Sequence, residues 1–97
     1  MTIEELQRQC VEVIRRHLPD ERWQVWLFGS QATGRARPGS DLDLALVGPT
    51  PVPWRIMARI HEDVDELPTL RSVDLVDVAS AGERLRQRVL KEGRKIA

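Results

Sequence analysis

The sequence predicts a small α/β (α+β) domain: a mixed three-stranded sheet packed with helices, with room for a short fourth strand. Apolar residues recur at helical spacing near residues 3–18, 56–67 and 85–90. Between them lie three short apolar runs, near residues 23–28, 41–47 and 72–78, each bounded by Gly, Pro, Ser or Asp. Helix and strand therefore alternate along the chain, which is the pattern of an α/β fold. The 97 residues suffice for one modest core, so the chain reads as a single domain, 1–97.

Thr2 followed by Glu5 is a capping-box pattern at the start of the first helix. Ile3, Leu6, Cys10, Val13, Ile14 and Leu18 form its apolar stripe, and Pro19 stops it. His17, near its C-terminus, reads as a surface or dipole-compensating residue. In residues 23–28 both parities are apolar, Trp23, Val25 and Leu27 against Trp26 and Phe28, so this strand should be covered on both faces. Residues 31–36 allow a turn or two of helix before Pro38-Gly39. In the second strand, 41–47, Leu42, Leu44 and Leu46 share one face, while Asp41, Asp43 and Ala45 share the other. Three prolines stiffen the loop from Gly48 to Pro53. Ile56, Met57, Ile60, Val64 and Leu67 mark the next helix, whose Glu62, Asp63, Asp65 and Glu66 read as a solvated acidic face. Residues 72–78 make the third strand, with Asp74 and Asp77 inside it. After a turn at 79–82, Leu85, Val89 and Leu90 anchor a final helix surrounded by Arg84, Arg86, Arg88, Lys91, Arg94 and Lys95.

Composition narrows the function. Hydrophobic residues make up 41% and charged residues 31%, and 15 basic residues balance 15 acidic ones. A general nucleic-acid binder carries a basic excess, so that class loses ground. No apolar run approaches the roughly 20 residues that span a bilayer, so no membrane association is expected. The first nine residues hold acids and no hydrophobic stretch, which argues against a secretory signal. Cys10 is alone, so the chain forms no internal disulfide and suits a reducing cytoplasm.

Residues 27–44, LFGSQATGRARPGSDLDL, concentrate the chemistry. Residues i and i+2 of a strand point the same way with Cα atoms about 7 Å apart, so Asp41 and Asp43 reach one small volume. Two unpaired carboxylates there repel one another. Divalent cations remove that conflict, and two metals about 4 Å apart can clamp both oxygens of an in-line phosphoryl or nucleotidyl transfer. Oxygen-only ligands favour Mg²⁺ or Mn²⁺ over zinc. The second and third strands are linked through a helix and should be parallel, with the first strand antiparallel to the second. Asp74, near the start of the third strand, then lies at the same sheet edge and becomes the third site carboxylate. Asp77 is three residues on, with opposite parity, and is the lesser candidate. Gly29 lets a phosphate approach the backbone, Ser30 adds a hydroxyl at a helix start, Ser40 caps or positions the loop before the aspartates, and Arg35 and Arg37 are either solvated arginines, the commoner state, or phosphate contacts.

These residues resemble a known family. Gly29-Ser30, Gly34 and Ser40-Asp41-Leu42-Asp43-Leu44 match the G-S-x-x-x-G-x-x-x-x-x-S-D-x-D-L signature of the DNA polymerase beta-like nucleotidyltransferase superfamily. The short chain is similar to its minimal (MNT) branch, and Val73-Asp74-Leu75-Val76-Asp77 to that branch's third-carboxylate strand. The resemblance implies the polymerase-beta-like nucleotidyltransferase fold, two Mg²⁺ ions (or Mn²⁺) on Asp41, Asp43 and Asp74, and ATP or another NTP held by Gly29, Ser30, Ser40 and Arg37. It further implies an antitoxin that transfers AMP to a tyrosine hydroxyl of a HEPN-family partner, Asp74 serving as metal ligand or as base toward the acceptor. Two alternatives stay open: an antitoxin that acts by binding alone, and a transferase acting on a small molecule of the aminoglycoside type. The sequence also leaves homo-oligomerisation open.

Overall fold

In a computed structural model, which describes residues 1–37 and 39–97, the Thr2–Glu5 capping box opens α1 (Ile3–His17). The Thr2 hydroxyl accepts from the Glu5 N–H at 3.1 Å, and the Glu5 carboxylate accepts from the Thr2 N–H at 3.3 Å. The chain continues through β1 (Gln24–Phe28), α2 (Ser30–Thr33), β2 (Leu42–Val47), α3 (Trp54–Asp65), β3 (Val73–Asp77), α4 (Val78–Ala81), α5 (Glu83–Glu92) and β4 (Arg94–Lys95). The expected turn at Pro38 falls on the residue outside the described ones. No helix among the described residues is long and apolar enough to cross a membrane.

The sheet order is β3-β2-β1-β4. β2 and β3 are parallel, and β1 runs antiparallel to β2, as the connections require. The expected fourth strand forms: Arg94 and Lys95 pair with Leu27 and Trp26 of β1. These two residues therefore do not belong to the final helix, as the basic run suggests. Gly93 ends that helix where a Cβ would collide with the Val89 carbonyl, and the free edge of β1 captures the chain.

One face of the sheet carries Val25, Leu27, Leu42, Leu44, Leu46 and Leu75, packed under α1 and α3. The other carries Phe28 and Ala45, packed with Val78 and Val89 and flanked by Trp26, Val47, Val76 and Leu85. β1 is thus covered on both sides. Leu90 is 41% exposed, and the apolar residues of α5 that pack on the sheet are Leu85 and Val89. His17 is not a free surface residue: its Nε2 lies 2.5 Å from Asp63 Oδ2, tying α1 to α3. Asp63 accordingly leaves the solvated acidic face.

Asp77 also has a structural task. Its carboxylate accepts from the Val52 N–H at 2.7 Å, the Ala79 N–H at 3.2 Å and the Ser80 hydroxyl at 3.1 Å. It caps α4 and pins the proline loop to the end of β3. Asp77→Ala should lower the urea-unfolding free energy by about 1–3 kcal/mol, since it removes a cap and orphans a part-buried N–H. Nucleotide affinity of the folded variant should be unchanged.

Candidate active site

The parallel register places Asp43 of β2 opposite Asp74 of β3. The antiparallel register places Asp43 opposite Phe28 of β1, the residue before Gly29. Three consecutive strands thereby deliver Asp74, Asp43 and the Gly29–Ser30 corner to one end of one sheet face. Asp41 lies one residue before β2, two before Asp43, at the same end. Asp41 and Asp74 are exposed and Asp43 is half-buried.

Gly29 has φ +72° and is followed at once by α2. A Cβ there would collide with Asp43 Oδ2. The corner therefore admits only a bare backbone, for reasons of both conformation and space. Gly34 closes α2 in the left-handed conformation, donating its N–H to the Ser30 carbonyl. The Ala32 and Thr33 N–H groups donate to the Gly29 carbonyl at 3.1 and 3.2 Å, which leaves the Ser30 and Gln31 N–H groups at the helix start without an intrahelical carbonyl.

The connection from α2 to β2 is held by Ser40. Its hydroxyl accepts from the Arg37 N–H at 2.7 Å, and its own N–H donates to the Arg37 carbonyl at 2.9 Å. The Arg71 guanidinium donates to the Ser40 carbonyl. Ser40 is thus a loop-positioning residue at the approach to Asp41, as its place in the sequence suggests. The Arg37 side chain is exposed at the far end of that turn, and Arg35 is exposed as well.

Burial raises the Asp43 pKa above the ordinary aspartate value, and the charges of Asp74 and Asp41 raise it further. One group opposes them: Arg88 of α5. Its guanidinium Cζ lies 6.0 Å from the Phe28 ring centroid. In the sequence Arg88 is one of six basic residues around the last helix, and nothing there singles it out. The packing of its neighbour Val89 with Phe28 and Ala45 sets this stretch of α5 over β1, where Arg88 stands above the Phe28 ring.

Among the described residues no group of three or more His, Cys, Asp or Glu side chains is placed to hold a metal ion by itself. The charged donors that Asp41, Asp43 and Asp74 bring to this sheet end are carboxylate oxygens. Such an open set suits Mg²⁺, which commonly keeps its waters and takes one or two carboxylates plus substrate phosphates.

The polymerase beta nucleotidyltransferase family profile matches residues 9–97. The chain belongs to this family. It is 34% identical over 79 residues to MntA of Haemophilus influenzae, assigned as a protein adenylyltransferase, covering 81% of this chain and 68% of that protein. A solved structure with a provisional assignment as a minimal nucleotidyltransferase is 31% identical, with TM-score 0.69, covering 99% of this chain and 97% of the other. A solved toxin–antitoxin structure with AMP-PNP is 26% identical, with TM-score 0.66, covering 92% of this chain and 70% of that chain. The polymerase-beta-like fold expected from the motif is therefore the fold found, and the activity class is nucleotidyl transfer.

An aspartate whose pKa is raised on folding holds more protons in the folded state, so stability falls as pH rises from the usual 3.8 through the raised value. Above that window the penalty is constant. Asp43→Asn removes it. Without added metal, the Asn variant should unfold at higher urea than wild type near neutral pH, and the difference should vanish below the ordinary aspartate range.

Proposed function

We propose that this chain transfers AMP from ATP, with Mg²⁺, to a hydroxyl of a partner protein, most simply a tyrosine of a HEPN toxin, and so acts as an antitoxin. The observation that carries the reading is the register Asp74–Asp43–Phe28, which sets two carboxylates beside the glycine corner on one sheet face. The MntA relative and the toxin–antitoxin structure with AMP-PNP support the nucleotide and the partner class.

In this account Gly29 and Ser30 receive the triphosphate, with Ser40 and Arg37 bordering the same loop. Asp41, Asp43 and Asp74 would hold the metal ions. Bound Mg²⁺ or Mn²⁺ would supply charge neutralisation for the phosphates. Asp74 is exposed at the outer strand, where an acceptor hydroxyl can approach, and accepts its proton. Proton acceptance of this kind typically contributes about 10²–10⁴-fold. The compartment in keeping with Cys10 and with such a partner is the cytoplasm.

Labelled ATP and Mg²⁺, incubated with the chain and a candidate HEPN partner, should label that partner. Chelation by EDTA, or the double change Asp41→Asn/Asp43→Asn, should abolish labelling. Equal labelling by the double variant would contradict the enzyme reading. Toxin neutralisation by that variant without labelling would favour binding alone.

A further inference from the structure

The strands lay out the site in one direction. Asp74 is on β3, Asp43 on β2, and Phe28 with Gly29 on β1. On the same face α5 covers β1, with Val89 fully buried against Phe28 and Ala45. Arg88 stands over the Phe28 ring, its Cζ 6.0 Å from the centroid. Asp43 therefore has a carboxylate on its β3 side and a guanidinium on its β1 side. The β1 side is also the side of the Gly29–Ser30 corner.

Nucleotidyl transfer is an in-line displacement, with the attacking and leaving oxygens on opposite sides of the α-phosphorus. The acceptor oxygen bonds to that phosphorus as the bond to the α,β-bridging oxygen breaks. The acceptor proton goes to Asp74, and the electron pair of the broken bond leaves with pyrophosphate. With the acceptor on the β3 side, the leaving group lies on the β1 side.

We propose that Arg88 is a catalytic residue that grips the β- and γ-phosphates of the bound triphosphate and pairs with the departing pyrophosphate. The assignment rests on the nucleotidyl-transfer reading above. A guanidinium suits this task, because its planar fork meets two phosphate oxygens at once. At rest Arg88 Nε lies 3.7 Å from Glu92 Oε2, and the side chain is 56% exposed, so it is held loosely and remains accessible. Phe28 supplies the wall along which the arginine lies.

Calorimetric titration of ATP, pyrophosphate and AMP, each with Mg²⁺, into wild type, Arg88→Gln, Arg88→Lys and Arg86→Gln tests the assignment. Arg88→Gln should weaken ATP and pyrophosphate roughly 10- to 100-fold, the loss of a charge-assisted hydrogen bond, and leave AMP unchanged. Arg88→Lys should recover part of the loss. Arg86→Gln, which loses only an exposed pair with Glu83, should change nothing beyond about twofold. Equal loss for all three ligands in Arg88→Gln, or no loss for any, would overturn the role of Arg88 alone. Failure of wild type itself to bind ATP with Mg²⁺ would overturn the nucleotidyl-transfer reading and this assignment together.

Discussion

Asp43 and Asp74 face each other across a parallel strand pair, with Asp41 close by, and the backbone gives them no way apart. Leu42, Leu44 and Leu46 are fully buried on the opposite face of β2. Turning Asp43 away would require a one-residue slip that exposes all three leucines. At about 25 cal/mol per Å² of apolar surface, that slip costs several kcal/mol. The carboxylate repulsion is smaller, because both outer aspartates are solvated. Burial of the leucines therefore wins, and the like charges remain together, available to cations.

Much of the remaining structure serves to keep that arrangement. The crossover through α3 makes β2 and β3 parallel and so aligns Asp43 with Asp74. The antiparallel return from β1 brings Gly29 against Asp43, where only a glycine fits. Arg71 and Ser40 fasten the chain just before Asp41. Asp77 and the proline loop secure the far end of β3. The packing of Val89 against Phe28 sets α5 over β1 and with it Arg88 beside the site.

The parts of this design that depend on local chemistry were legible in the sequence. The capping box at Thr2 and Glu5, the leucine alternation of β2 and the i, i+2 aspartates each follow from spacing alone. The parallel pairing of β2 and β3, and with it the place of Asp74 opposite Asp43, follow from handedness and parity. What escaped depends on contacts between distant segments. His17 gives no sign that Asp63 of another helix will meet it. Arg94 and Lys95 resemble a continuing basic helix until the open edge of β1 pairs with them. Arg88 is indistinguishable from Arg84 or Arg86 until the burial of its neighbour Val89 chooses its direction. Asp77 shows a strand aspartate in sequence, whereas its partners, Val52, Ala79 and Ser80, come from the loops around it.

The most direct measurement of the central idea is a crystal structure of the chain with a non-hydrolysable ATP analogue and Mn²⁺, using anomalous scattering to locate the metal. The account predicts manganese peaks bridging Asp41 and Asp43, beside Asp74, with the triphosphate against the Gly29–Ser30 backbone. Manganese bound elsewhere while these carboxylates stay bare, or a nucleotide seated away from the glycine corner, would contradict it.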